Sequence, residues 1–133
     1  MKRIILILLC FAFLNGCGST IPLTFTGDTK HWHIEMDTTN SSHNKQNEQK
    51  VNITFKYKGT IKQLKKYKHL EISYNTTTKS GSQTINASNG LTKKEYSITT
   101  SGNGSKITKN SKPEVIIVLG ENGKKEKTTL IKK

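Results

Sequence analysis

The stretch VNITFKYK, residues 51–58, alternates apolar and polar side chains without interruption. Successive side chains of a β-strand point to opposite faces, so this period of two predicts a strand with one buried and one wet face. Gly59 follows directly and predicts the end of the strand. The apolar face consists of Val51, Ile53, Phe55 and Tyr57.

The same period of two recurs on both sides of this stretch, over residues 31–37 and 70–75. Both segments are therefore predicted to be half-buried strands. Weaker strands are predicted over 81–86 and 95–99, on either side of the turn Asn89-Gly90. The apolar positions of the two stronger segments are Trp32, Ile34, Met36, Leu70, Ile72 and Tyr74.

The C-terminal part of the chain predicts a hairpin. Residues 115–119 form a continuous apolar run, which is typical of a strand buried on both faces. Asn122-Gly123 follows, and this dipeptide favours a type I′ turn because both of its residues tolerate positive φ. The closing strand is predicted to extend from about residue 125 to 131.

Two segments lack this pattern. Residues 38–49 are polar throughout and are predicted to form a long loop. Residues 60–68 carry Ile61, Leu64 and Tyr67 at a spacing of three, which fits either a helical turn or an irregular crossover. We favour the crossover.

These elements together predict an all-β fold. About seven short strands separated by polar turns are typical of an immunoglobulin-like antiparallel β-sandwich. We place this domain at residues 25–133, after an N-terminal helical signal segment. With 133 residues, the chain is long enough for one such domain.

The N-terminus has the organisation of a secretory signal. Lys2 and Arg3 precede an apolar run of eleven residues, 4–14. A membrane-spanning helix needs about 20 apolar residues, so this run is too short to remain in a bilayer. The segment is therefore predicted to direct export and then to be removed.

The run ends in Leu14-Asn15-Gly16-Cys17, which resembles the lipobox of bacterial lipoprotein signals. The resemblance implies that residues 1–16 are a signal peptide and that Cys17 is lipidated and becomes the new N-terminus. Residues 17–24 would then form a lipidated tether on the extracytoplasmic side of the cell membrane. An ordinary secretory signal cleaved elsewhere, which would release the protein, is the alternative.

The remaining chain contains several short motifs: Phe25-Thr26-Gly27-Asp28 before Trp32, then Tyr57-Lys58-Gly59, Glu71-Ile72-Ser73-Tyr74 and Asn122-Gly123-Lys124-Lys125-Glu126. Together they resemble the motifs of a group of small Bacillus-type lipoproteins. The resemblance implies a location and a fold, and it transfers no catalytic residue.

The charge indicates an anionic partner. The whole chain carries a net charge of +13. Lys2 and Arg3 supply two of these charges, so a net charge of +11 remains after the signal. Lysine is then the source of every permanent positive side-chain charge. Without arginine, base-specific reading of nucleic acid is not expected. Anionic lipid headgroups or wall polymers fit such a surface, and a surface that only keeps the domain soluble is the alternative. The predicted binding residues form two clusters, Lys62, Lys65, Lys66 and Lys68 in one and Lys124, Lys125 and Lys127 in the other.

His31 and His33 are the candidates for a metal site. Two residues apart on one outward strand face, they can supply two ligands, whereas a tetrahedral zinc site needs further ones. The alternative is an ordinary solvent-facing surface. No catalytic constellation and no cofactor site is predicted.

The sequence therefore predicts a non-enzymatic, membrane-anchored extracytoplasmic lipoprotein. Its domain would bind anionic envelope polymers or an envelope protein, and nucleic acid is not an expected partner. The alternative is a metal-binding or metal-dependent surface protein that uses the His31/His33 face.

Overall fold

Residues 51–57 of the alternating stretch lie in the strand next to one edge strand of a five-stranded antiparallel sheet. The computed structural model describes residues 20–43, 46–104 and 106–133. The predicted signal peptide 1–16 and Cys17 lie outside the described residues. The strands are β1 (Thr20–Asp28), β2 (Trp32–His43), β3 (Gln46–Tyr57), β4 (His69–Asn75), β5 (Ser80–Asn86), β6 (Glu95–Asn103), β7 (Glu114–Leu119), β8 (Lys125–Thr129) and β9 (Ile131–Lys132).

The two sheets pack face to face around one apolar core. The first sheet has the strand order β6-β3-β2-β1-β9, and the second has the order β5-β4-β7-β8. All pairings in both sheets are antiparallel, which confirms the all-β prediction, and the described residues form nine strands rather than about seven. The fully buried side chains come from both sheets and include Phe25, Trp32, Ile34, Phe55, Leu70, Ile72, Val115 and Ile117.

The prediction of a loop over residues 38–49 is wrong. Most of this segment lies in β2 and β3, which continue as one long hairpin. Its inward positions are polar but paired: Asn40 Nδ2 donates to the Ile107 carbonyl at 2.9 Å, and Gln49 Nε2 donates to Asn40 Oδ1 at 3.1 Å. Buried amides that hydrogen-bond to each other can replace apolar side chains, and this removes the alternation expected of a strand.

The first strand also begins earlier than the sequence predicts. Residues 20–24, which we assigned to the tether, belong to β1 and pair with the extended part of β2. The register places Thr20 opposite Ser41. Because the sequence predicts a loop for the polar half of β2, it offers no partner strand for these residues.

A short helix, α1 (Ile61–Leu64), replaces the predicted crossover. Thr60 and Gln63 form a capping box, in which the Gln63 N–H donates to Thr60 Oγ1 and the Thr60 N–H donates to Gln63 Oε1. This Thr-x-x-Gln pattern is a helix-start signal that spacing alone did not reveal. Leu64 is fully buried and attaches the helix to the core.

The hairpin between β7 and β8 is confirmed, but two of its details differ. Ile116 and Val118 are only half-buried, since no described layer covers the outer face of the second sheet. The positive φ of the connection falls on Gly120, at +86°, rather than on Gly123, whose N–H donates to the Gly120 carbonyl at 3.2 Å.

The predicted closing strand 125–131 is divided at Leu130. Its first part, β8, pairs with β7 in the second sheet, and its last residues form β9 beside β1 in the first sheet. Leu130 is fully buried and its N–H donates to the Pro113 carbonyl at 2.7 Å. The chain therefore crosses between the sheets at a residue held from both sides.

Candidate functional site

Four segments meet at one end of the two sheets, namely the β1–β2 turn, the end of β3, the α1 segment and the β7–β8 hairpin. Between them lie two adjoining clefts of about 220 and 470 Å³. Both clefts contain His31, Tyr57 and Tyr67, while Lys124 lines the smaller one and Lys66 the larger one. We call these five residues and the two volumes they enclose the aromatic–lysine cleft.

His31 connects the two sheets inside this cleft. Its ring stacks on Tyr57, with ring centroids 6.4 Å apart and planes 18° from parallel. Its Nδ1 lies 3.0 Å from Glu126 Oε2, and its backbone N–H donates to Glu126 Oε1 at 3.0 Å. One carboxylate on β8 therefore holds both the ring and the backbone of a residue that precedes β2.

The environment shifts the pKa of two cleft groups. Burial alone would raise the pKa of Glu126, but hydrogen bonds from the His31 ring, Thr29 and the His31 N–H together outweigh it and lower the pKa. Burial raises the pKa of Tyr57, and the neighbouring Tyr67 and Glu126 raise it further. At physiological pH the cleft thus presents a carboxylate fixed by hydrogen bonds and a neutral phenol.

Tyr67 is the exposed ring of the cleft, with 38% of its surface accessible. Its backbone is fixed, because its N–H donates to the Leu64 carbonyl at 3.0 Å and its carbonyl accepts from the Leu91 N–H at 2.9 Å. A Cβ added at Gly120 would lie 3.2 Å from Tyr67 Cδ1, so the hairpin approaches this ring closely. Tyr67 is therefore an accessible aromatic ring on a backbone held by hydrogen bonds.

The structure brings the two predicted lysine clusters together only in part. Lys66 and Lys124 line the cleft, whereas Lys127 forms an ion pair with Glu114, 3.1 Å away. The sequence missed two further cations that line the cleft, Lys30 and Lys58. Four predicted lysines are exposed but do not line it: Lys62, Lys65, Lys68 and Lys125.

The sequence also does not predict the two tyrosine rings of the cleft as site residues. Tyr57 has the period of a core strand and is indeed almost fully buried, with only its edge reaching the cleft. The one available signal for Tyr67 was a lone aromatic residue among lysines in a segment of uncertain structure. Trp32 and Tyr74 are core residues and do not line the cleft.

The two candidate metal ligands have different partners. His31 turns towards Glu126, whereas His33 Nδ1 lies 3.0 Å from Asp28 Oδ1. Asp28 also contacts Lys58 Nζ at 3.0 Å, and the Lys58 and then the His33 hydrogen bond lower the pKa of this carboxyl. Within residues 20–43, 46–104 and 106–133 no three His, Cys, Asp or Glu side chains are arranged to hold a metal ion.

The chemistry of the aromatic–lysine cleft suits a ligand that combines rings with negative charge. Aromatic faces that are rigid and partly apolar stack on other rings at low entropic cost. Lysine ammonium groups attract phosphate or carboxylate as point charges without demanding one geometry. The cleft is basic, because Lys30, Lys58, Lys66 and Lys124 line it.

Comparison with protein families, curated proteins and solved structures finds no match. In the described part of the chain, no helix has the length and apolar character needed to cross a bilayer.

Proposed function

We propose that this chain is the precursor of a bacterial lipoprotein whose domain is a non-enzymatic binding module for anionic envelope polymers. The module is of immunoglobulin-like type, and the polymer binds in the aromatic–lysine cleft. The observation that carries the proposal is the convergence of Lys66 and Lys124, from separate clusters in the sequence, on the same three rings.

The strand pairings support the immunoglobulin-like assignment. In that fold strands A, B and E share one sheet, strands C, F and G share the other, and Greek-key connections join them. Here β2, β3 and β6 are neighbours in one sheet, and β4, β7 and β8 are neighbours in the other. This sequence of pairings corresponds to A, B, E and C, F, G, with β5 in the place of an added C′ strand beside C. On this assignment β1 and β9 are additions at the edge of the first sheet.

The N-terminal sequence supports the anchor. A basic start, an apolar run too short to span a bilayer and the LNGC motif occur in the order that lipoprotein processing requires. A diacylated Cys17 would supply the two chains that stable anchoring needs. Lipidation would also consume the last thiol of the chain, since Cys10 would leave with the signal peptide.

The direction of β1 separates the cleft from the anchor point along the strand. Thr20 starts β1 nearest the anchor, and Asp28, which contacts the cleft-lining Lys58 at 3.0 Å, ends it. Eight steps of about 3.4 Å each separate the two ends by roughly 27 Å. A ligand in the cleft would therefore lie at the end of β1 that is farther from the anchor point.

Retention on purified anionic wall polymer tests the binding proposal. The double variant Lys66→Glu/Lys124→Glu should lose retention, and wild-type retention should fall steeply between low and high salt because exposed charges are screened within about 8 Å. Lys50→Glu/Lys106→Glu makes the same charge change at exposed positions outside the cleft and should retain binding. Equal losses in both double variants would reduce the effect to net charge and contradict a defined site.

The anchor is tested by the mass of the mature N-terminus. Wild type should begin at a diacylated Cys17, and Cys17→Ser should remain unprocessed or be released from the membrane. Cys10→Ser is the matched control and should be processed normally. An unmodified wild-type chain that begins elsewhere would contradict the lipoprotein assignment.

A further inference from the structure

A second cleft, of about 690 Å³, lies where the chain crosses from one sheet to the other. Its walls are the turn 109–112 and the crossing segment 129–132. Buried Leu130 belongs to this segment, and Ile131 beside it is 70% exposed, the most exposed large apolar side chain in the described part of the chain. Ile131 therefore presents most of its apolar side chain to solvent beside this cleft.

Three exposed lysines surround Ile131: Lys109, Lys112 and Lys132. Within the described residues none of the three has a carboxylate within ion-pair distance. The next residue, Lys133, reaches Glu35 only at 3.7 Å. An apolar tip among unneutralised lysines combines the two attractions that hold proteins to an anionic membrane surface.

The position of this cleft relative to the N-terminus specifies the membrane concerned. Ile131 pairs with Thr26 of β1, the strand that follows Cys17. Between Cys17 and the first residue of β1 there are only three steps, which reach at most about 11 Å. A lipid at Cys17 would therefore hold the start of β1 close to the bilayer. Ile131 lies opposite Thr26, about 20 Å further along β1, so it reaches the same surface when the β1–β9 edge lies along the membrane.

The same edge is poorly suited to bind another strand. The Thr24 carbonyl accepts from the Lys133 N–H at 2.9 Å, so the backbone polar groups of Thr24 face β9. Strand residues direct these groups alternately to their two neighbours, so Pro22 faces the same edge and lacks a donor. A lipid surface, which needs no ladder of hydrogen bonds, fits this edge better than a protein strand.

We infer that this edge, formed by Lys109, Lys112, Ile131 and Lys132, lies on the anionic headgroups of the membrane that holds the anchor. Ile131 enters the interfacial region, and the three lysines bind headgroup phosphates around it. The inference rests on the proposed lipid anchor. None of the five residues of the aromatic–lysine cleft belongs to this edge, so the polymer site stays uncovered.

Thiol protection in vesicles tests the inference on the lipidated chain, after its N-terminal mass has confirmed the lipid. With Cys17 blocked by lipid, Ile131→Cys introduces the single free thiol. In vesicles of phosphatidylglycerol and phosphatidylcholine, a membrane-impermeant maleimide should label this thiol about tenfold more slowly than in phosphatidylcholine alone, because three lysines attract the anionic surface. Ser97→Cys, an exposed position on β6 at the other edge of the same sheet, is the control and should react equally in both.

Charge reversal separates the membrane contact from other causes of protection. In the Ile131→Cys chain, Lys109→Glu/Lys112→Glu/Lys132→Glu should restore fast labelling of the introduced thiol in anionic vesicles, whereas Lys56→Glu/Lys93→Glu/Lys94→Glu should not. Fast labelling in both vesicle types, or protection that persists in neutral vesicles as in a self-associated protein, would overturn the inference. If polymer retention survives such a result, only the membrane-contact inference fails and the proposed function stands. If Cys17 is not lipidated, the anchor proposal and the membrane-contact inference fail together.

Discussion

Glu126 is the residue on which the connection between the sheets at the cleft depends. Its carboxylate accepts from the His31 N–H and contacts the His31 ring, and these bonds lower its pKa despite partial burial. In the unfolded chain the pKa of the same carboxyl is close to its ordinary value of 4.5. The contribution of Glu126 to stability is therefore complete above that pH, and it is lost as the pH falls through the lower pKa of the folded state.

We accordingly expect Glu126→Gln to flatten the acid side of the stability profile. Wild type should lose more free energy of unfolding than the variant between about pH 5 and pH 3, while the variant should be less stable at neutral pH. Urea denaturation at several pH values measures both quantities. Glu121→Gln, in the hairpin that precedes β8, is the control and should follow the wild-type curve; parallel curves for all three proteins would contradict the role of Glu126.

Gly90 is a second residue whose effect can be predicted. It has φ of +86°, and a Cβ there would lie 2.0 Å from the Lys65 carbonyl oxygen, which is backbone. The positive φ alone costs an alanine about 1–2 kcal/mol, and the clash requires the α1 segment to move as well. We expect Gly90→Ala to lower the free energy of unfolding by about 2 kcal/mol or more, as measured by urea denaturation.

Gly104→Ala is the matched control for this substitution. Nothing lies within 4 Å of a Cβ at Gly104, and its φ is not in the left-handed region. The same change of side chain should therefore leave the stability within about 0.5 kcal/mol of wild type. If the two variants are equally stable, the turn at Gly90 is not in contact with the α1 segment.

At the level of elements, α1 determines where Tyr67 lies. The helix has only four residues, so it depends on its Thr60 cap and on buried Leu64 rather than on length. Replacing a capping threonine by alanine costs about 1 kcal/mol. In Thr60→Ala we expect the amides of Leu64 and Lys65, which bond to the carbonyls of residues 60 and 61, to exchange about fivefold faster with solvent.

Amide hydrogen exchange measured residue by residue checks this expectation. Thr60→Ser keeps the capping oxygen and should exchange like wild type. Because Tyr67 donates its N–H to the Leu64 carbonyl, faster exchange should extend to Tyr67 and stop before β4. Unchanged exchange at Leu64 in the alanine variant would show that the core contact of Leu64 alone holds the helix.

The predictable and the unpredictable elements differ in what their inward side chains are. The strands around Ile34, Ile53 and Ile72 bury apolar residues at every second position, so their periodicity was visible. The distal halves of β2 and β3 bury Asn40 and Gln49 instead, and amides become good inward residues only when another element offers a bond. That information lies in the tertiary structure.

The candidate site shows the same limit. Two lysines of the cleft, Lys66 and Lys124, could be predicted because charge clusters are local. Lys30 and Lys58 lie outside those clusters and were missed. Which clusters face each other, and which rings lie between them, depends on the packing of the α1 segment against a hairpin more than 50 residues later. His31 was predicted as a strand-face residue, but it precedes β2 and turns to a carboxylate of the other sheet.

For the whole molecule, the C-terminal residues decide how one side of the first sheet is closed. β9 pairs only with Phe25 and Thr26, and residues 131–133 are all exposed. Deleting these three residues removes a few backbone hydrogen bonds, each worth about 0.5–1.5 kcal/mol, and little packing. We expect the truncated chain to lose about 1–3 kcal/mol of stability in urea denaturation and to remain folded, because Leu130 stays in the core.

The deletion also exposes the edge of β1, and exposed edges promote association between chains. Pro22 faces this edge without a donor, so a second chain could pair only with the few residues beyond it. We expect the truncated chain to sediment as a monomer, and the same truncation carrying Pro22→Thr to associate as its concentration rises. Full-length Pro22→Thr is the control and should stay monomeric, because β9 still pairs with the edge of β1. Association of the truncated chain with Pro22 in place would show that the proline does not protect this edge.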